Sequence, residues 1–195
     1  PPNVPGLFLA ARCWQAREIG GDLFDFIPID DYRLGIVIGD VTGKGMPAAL
    51  LMTTVRSALR AHAHFESDPA AVLNAVNRVM YDDTRGKAYV TLTYSILDLR
   101  TWTLTIANAG HPSPLLCGEH EKPVYLLDSG RLPLGAQPDV QYTNHLYLLQ
   151  PRQAILLYTD GVIEARNAQY TMLGFEGLQA IVARQPGQHR IETIL

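Results

Sequence analysis

The chain has 195 residues, 47% of them hydrophobic and 18% charged, enough to bury roughly 70% of its unfolded surface as one domain without a disulfide or metal staple. Sixteen basic against nineteen acidic side chains give a net charge of −3, and no run of cations exceeds two neighbours, which argues against a nucleic-acid or anionic-membrane binder. No apolar run approaches the length of about 18 residues that a membrane span needs. No basic-then-apolar leader opens the sequence, and Cys13 and Cys117 show no metal-pair spacing, so a reducing, cytoplasmic compartment is expected.

Pro1-Pro2-Asn3-Val4-Pro5 reads as the end of an upstream linker, taken as residues 1–6, with one domain expected over 7–195. Leu7–Ala16 and Leu23–Ile29 carry the branched and aromatic residues of strands, separated at Gly20-Gly21. Leu34–Gly39 is an apolar run of the kind a buried strand shows, ending on Asp40. From Met46 the period changes: Ala48, Met52, Val55, Leu59 and His62 recur at helical steps, with Pro47 in the first turn. Asp68-Pro69 is an N-cap followed by proline, opening a second helix with Val72, Val76, Val79 and Met80 on one face. Val90, Leu92, Tyr94 and Ile96 then alternate with Thr91, Thr93 and Ser95, the pattern of a half-buried antiparallel strand. Asp98–Thr101 is a turn into a partner strand, Trp102–Ala107. Short strands are expected near Ser113–Cys117, Val124–Leu127, His145–Leu149 and Ala154–Tyr158, and a last helix near Phe175–Arg184. The order predicts an α+β fold of antiparallel sheets packed face to face with helices outside.

Three aspartates stand out. Asp22 follows Gly20-Gly21, Asp40 ends the run at Ile38-Gly39, and Asp160 follows Ile155-Leu156-Leu157-Tyr158-Thr159, each with a glycine beside it. A carboxylate at the mouth of a buried strand is costly unless paired or bound to a cation, and glycine lets the backbone approach a ligand closely. Carboxylates gathered without histidine or cysteine suit hard cations such as magnesium and manganese. Asp-Gly is also ordinary turn chemistry, so any one of the three reads equally as a strand-end turn. Gly39–Gly45 is not a phosphate loop: Gly39 is one residue too close to Gly43-Lys44, and Gly45 occupies the hydroxyl position. Lys44 reads as a solvated loop cation. His62 and His64, two apart on a helix, do not share a face and make no metal site. Cys13 and Cys117 read as core thiols.

Glu18-Ile19-Gly20-Gly21-Asp22-Leu23-Phe24-Asp25-Phe26 resembles the first motif of the metal-dependent protein phosphatases, in the bacterial SpoIIE-like branch that includes the RsbU-type stress-response enzymes and belongs with the type 2C phosphatases. Gly39–Leu50 looks like the second motif, Ala107-Asn108-Ala109-Gly110-His111-Pro112 like the central loop, and Leu157–Ala165 like the third. The resemblance implies an αββα sandwich with two divalent cations, Mn²⁺ or Mg²⁺, in a cleft at one end. It implies that Asp40 bridges the ions, that the backbone carbonyl of Val41 ligates one, and that Asp160 and Asp22 complete the set directly or through water. The activity implied is hydrolysis of phosphoserine or phosphothreonine by a metal-activated water without a phosphoenzyme. Arg17, five residues before Asp22, takes the place of a phosphate-gripping arginine or is a surface arginine at a strand end. Glu18, Asp25 and Glu164 are candidates for supporting the ligands from behind, although lone acids are usually solvated. His111 is a candidate general acid, but in a Gly-His-Pro turn the favoured reading is packing or hydrogen bonding.

The family's further Asp-Asp-x-Thr motif on a final strand has no match after Asp160, so the C-terminal strand and its aspartate are expected to be missing from this chain. By resemblance the substrate is a phosphorylated STAS-domain anti-anti-sigma protein, an upstream sensor domain adjoins the N-terminus, control runs through the helix at Met46–His64, and a homodimer is left open. The alternatives are a regulatory binding module that keeps the fold without turnover, and a hydrolase of small phosphate esters.

Overall fold

A computed structural model describes residues 1–14, 21–43, 45–118, 122–127 and 130–184. In chain order its elements are β1 (Leu23–Pro28), β2 (Arg33–Val41), α1 (Met46–Ala63), α2 (Pro69–Thr84), β3 (Val90–Asp98), β4 (Thr103–Ala109), β5 (Leu115–Cys117), β6 (Val124–Tyr125), β7 (His145–Leu148), β8 (Ala154–Leu156), α3 (Asp160–Ile163) and α4 (Gly174–Ala183). They divide between two units: Cys13–His111 with Gly130–Leu149, and Pro1–Arg12 with Pro112–Ser129 and Gln150–Leu195.

The first unit holds a five-stranded antiparallel sheet of order β1-β2-β3-β4-β7. Asp30 closes the β1–β2 turn, its Oδ1 accepting from the backbone N–H of Tyr32 at 2.9 Å and of Arg33 at 2.7 Å, the local bond that makes aspartate a turn residue. Helix α1 buries Ala48, Met52, Val55, Leu59 and Ala63, a stripe at helical spacing. Its last member is Ala63 rather than the expected His62. Helix α2 starts where Asp68-Pro69 places it, with Asp68 Oδ1 accepting from Ala71 N–H at 3.0 Å. Three asparagines then tie α2 to the 135–144 segment: Asn77 Nδ2 donates to Gln137 O, Tyr142 N–H donates to Asn74 Oδ1, and Asn144 Oδ1 takes the N–H of Ala70. Both helices share one apolar core with Val37 and Val41 of β2 and Val90, Leu92, Tyr94 and Ile96 of β3.

The second unit carries a three-stranded antiparallel sheet of order β6-β5-β8. Its core gathers Leu115, Cys117, Tyr158, Leu178 and Val182, with α4 supplying the last two.

Several expectations change. The strand over Leu7–Ala16 does not form in its described part: a bridge between Val4 and Leu7 is its only pairing, because a β-like composition marks a surface to be covered and does not supply a partner strand. Strand β3 is buried on both faces, Thr93, Ser95 and Leu97 included, and two of its polar groups are met internally: Asn108 Nδ2 donates to Thr93 Oγ1, and Ser95 Oγ donates to Ile36 O. Cys13 is exposed, whereas Cys117 is a core thiol as expected.

Asp25 is the largest departure. It is no solvated acid but a buried carboxylate with 8% of its surface exposed. Arg56 Nε (2.9 Å), Arg60 Nε (2.6 Å) and Arg60 Nη2 (2.7 Å) all donate to it from α1. Desolvation pushes its carboxyl up, but the hydrogen bonds from Arg60 and Arg56 outweigh that and hold it below the usual carboxylate range. The sign follows from linkage: a depressed folded-state value gives stability that is present above the unfolded value near 3.9 and lost as the pH falls through the folded one. Asp25→Asn should therefore destabilise the protein by about 2 kcal/mol at pH 7. It should also lose less stability than wild type between pH 5 and pH 3, read from urea midpoints across that range.

Candidate functional site

The pleat of the five-stranded sheet sorts its polar residues. Odd positions of β2 and even positions of β3 join the core shared with α1 and α2, so Asp40, Thr91, Thr93 and Ser95 project to the other face. The ladder pairs Asp40 with Thr91 and Thr93 with Asn108. Leu23 pairs with Gly39, the residue before Asp40, and Asp22 directly precedes Leu23, one residue outside β1. Asp25, an odd number of residues away on the same strand, takes the helix face instead and is committed to Arg56 and Arg60.

Gly21 shows how tightly the two motifs meet. A Cβ there would lie 2.7 Å from Val41 Cγ1, 3.0 Å from Asp40 Oδ1 and 3.2 Å from Val41 O. A carboxylate oxygen and a carbonyl oxygen of adjacent residues thus converge on one point, beside the residue that precedes Asp22. Gly39 serves the neighbouring strand in the same way, since a Cβ would approach Thr91 O to 2.8 Å. Glycine is required at 39 by backbone approach, and at 21 a side chain would have to push aside the stiff, branched Val41. Gly161 differs: nothing lies within 4 Å of its Cβ position.

Beyond Val41 the chain is held before it turns. Thr42 N–H and Oγ1 both donate to Tyr89 O, at 3.0 and 2.9 Å, and Tyr89 N–H donates back to Thr42 Oγ1 at 3.1 Å. Gly43 and Gly45, at φ 106° and 75°, then carry the backbone through the left-handed region into α1. On the far side of β3, Thr91 Oγ1 lies 3.0 Å from His111 Nδ1 and donates a long 3.4 Å bond to Asp40 O. His111 is 6% exposed, in accord with the packing and hydrogen-bonding reading of that residue.

Asp160 belongs to the second unit. It opens the short helix α3 rather than ending strand β8, which stops at Leu156. Thr159 caps α3 in extended backbone, and Glu164 N–H donates to Asp160 O at 2.9 Å. Asp160 and Glu164 are both exposed. Arg17 and Glu18 lie outside the described residues. The structure thus brings Asp22, Asp40 and Val41 together, and among the described residues no three carboxylate, histidine or cysteine side chains form one metal-holding group. Asp22 acts electrostatically on Cys13, whose thiol is pushed up first by its partial burial and then by that negative charge. Sequence reading passed over Thr91, whose only signal was its place as a polar residue in an alternating strand.

The model of the family named Stage II sporulation protein E (SpoIIE) matches residues 30–195. The chain belongs to the SpoIIE family. It is 30% identical over 166 residues to the phosphoserine phosphatase RsbU of Bacillus subtilis, an alignment covering 85% of this chain and 49% of RsbU. It spans about half the length, or less, of the curated relatives it matches. Among solved structures, the SiaA-PP2C domain of Pseudomonas aeruginosa superposes with a TM-score of 0.75 at 24% identity, over 89% of this chain and 71% of that one. RsbX in complex with magnesium superposes at 0.70 and 16%, over 92% and 80%. These two likenesses show the fold: a SpoIIE-family chain has the α+β architecture of PP2C domains, with two antiparallel sheets and four helices.

The oxygen-only donor set at Asp22, Asp40 and Val41 fits a hard divalent cation. Gly21→Ala tests the convergence directly. Its methyl must displace Val41 or Asp40, so the variant should lose about 1–3 kcal/mol of stability in urea denaturation and bind Mn²⁺ more weakly in titration calorimetry.

Proposed function

We propose that both units serve one catalytic domain, a divalent-cation-dependent protein serine/threonine phosphatase. The observation that carries this reading is the convergence of Asp40 Oδ1 and Val41 O on the Cβ position of Gly21, the residue that precedes Asp22. The phosphoserine phosphatase activity named for RsbU and the magnesium held by RsbX support it.

Asp22, Asp40 and the Val41 carbonyl would hold a divalent cation, Mn²⁺ or Mg²⁺, and Asp160 is the further ligand that the resemblance implies for a two-cation site. When bound, such a pair would supply a water acidified toward about neutral pH and would neutralise the charge of a transferred phosphoryl group. The chain's own part is to fix its oxygen donors in advance. Asp22 directly precedes β1, Asp40 lies on its ladder partner β2, and the Thr42–Tyr89 exchange anchors the backbone next to Val41. Arg17 would orient the substrate phosphate through a bidentate guanidinium contact. His111 takes no proton-transfer role in this scheme.

The substrate we assign is a phosphorylated STAS-domain anti-anti-sigma protein, with an upstream sensor domain governing the enzyme; the support is the resemblance to RsbU-type phosphatases. No described helix is long and apolar enough to cross a membrane.

Phosphate release from a phosphoserine STAS protein, with Mn²⁺ and with chelator, is the direct test on the full-length protein. Release that requires the cation and disappears in Asp40→Asn, with the circular-dichroism spectrum unchanged, is expected. A full-length protein inactive with manganese leaves the regulatory binding module as the better reading. Equal rates on the protein substrate and on small phosphate esters would instead favour a hydrolase of small esters.

A further inference from the structure

The Ala107–Pro112 loop has no part in the chemistry above, yet its geometry is specific. Asn108 closes the turn from both sides: His111 N–H donates to Asn108 Oδ1 at 2.9 Å, and Asn108 Nδ2 donates to His111 O at 2.9 Å and to Thr93 Oγ1 at 3.2 Å. Gly110 sits at φ 71°, where a Cβ would lie 2.9 Å from Arg131 O and 3.1 Å from Pro133 N, so no other residue fits without moving the 131–133 backbone. The turn delivers a buried imidazole to Thr91 Oγ1 at 3.0 Å. Thr91 is the ladder partner of Asp40, and its hydroxyl reaches Asp40 O.

We propose that His111 is a positioning residue: through Thr91 it braces the end of β2 that presents the Asp40 carboxylate and the Val41 carbonyl, and the Asn108–Gly110 turn exists to hold its ring there. The inference rests on the phosphatase reading of that site. With Thr91 Oγ1 donating its proton to Asp40 O, the ring donates its Nδ1–H to Thr91 Oγ1, which fixes the tautomer. Supporting contacts of this kind orient ligands that must already be in place when a cation arrives. A general acid, in contrast, must reach the leaving oxygen, and this ring is 6% exposed with Nδ1 occupied by Thr91.

The test uses the full-length protein with His111→Gln, His111→Ala, Thr91→Val and Thr91→Ser. Mn²⁺ affinity by calorimetry, melting temperature without cation, and the pH profile of kcat are the three readouts. His111→Ala and Thr91→Val should each weaken Mn²⁺ binding about tenfold, their combination should weaken it little further, and Thr91→Ser should retain wild-type affinity. The shape of the pH profile should be unchanged in every active variant. Loss of one limb of that profile in His111→Gln with Mn²⁺ affinity intact would overturn the proposal in favour of a general acid. Lower melting temperatures with unchanged Mn²⁺ affinity in all variants would reduce the turn to packing alone. If wild type itself takes up no Mn²⁺ or Mg²⁺, the phosphatase reading fails first and this inference with it.

Discussion

Like charges on neighbouring chain segments repel, and the register of β1 on β2 pairs Leu23 with Gly39, so that Asp22 and Asp40 each flank that pair by one residue. A sheet that accepts such a pairing has to be held in register by something stronger. Here that is the apolar core on the opposite face, where Val37, Val41, Val90, Leu92 and Tyr94 meet α1 and α2. A slip of one residue would turn Asp40 into that core and Val41 out of it. The hydrophobic face therefore fixes the carboxylates.

The same strand shows two ways of keeping an acid inside a protein. Asp25 is neutralised by the chain itself, its charge met by two guanidinium groups, and this clamps α1 onto β1. That commitment turns it to the helix face, although it lies only three residues from Asp22. Asp22 and Asp40 sit instead at the end of the ladder, where glycines at 21 and 39 bring backbone oxygen close. An arginine pair stabilises one geometry permanently. In the phosphatase we propose, a cation bound there would tie Asp40 to the Val41 carbonyl, so that cation binding and local stability would be linked.

Most of the secondary structure was legible because periodicity reports which face is buried. Strands β1, β2, β3 and β4, helices α1 and α2 with the Asp68-Pro69 start, and the short strands β5 to β8 all follow from apolar spacing and turn residues. What periodicity cannot report is partnership across long separations. Residues 7–14 have strand composition and, in the structure, no ladder beyond the bridge at Leu7. Asp25 reads as a lone acid because its partners are 31 and 35 residues further along the chain. The second covered face of β3 was hidden for a related reason: threonine and serine look solvent-facing in a sequence, while Thr93 and Ser95 are buried with hydrogen bonds of their own. At the site, motif likeness located the aspartates, but the convergence at Gly21 and the Thr91–His111 contact appear only once the strands are paired.

That last contact bears on how the central loop should be understood in a domain of this kind. Sequence alone presents a histidine between glycine and proline and invites an acid–base role. The structure gives each neighbour a geometric duty: Asn108 shuts the turn, Gly110 lets the backbone pass Arg131 and Pro133, and the imidazole is spent on Thr91. A histidine whose purpose was proton transfer would need freedom to meet its substrate, and such packing removes that freedom. A histidine whose purpose is to stiffen the β2–β3 ladder beside Asp40 needs burial, one fixed tautomer and an unyielding turn, and the loop supplies all three.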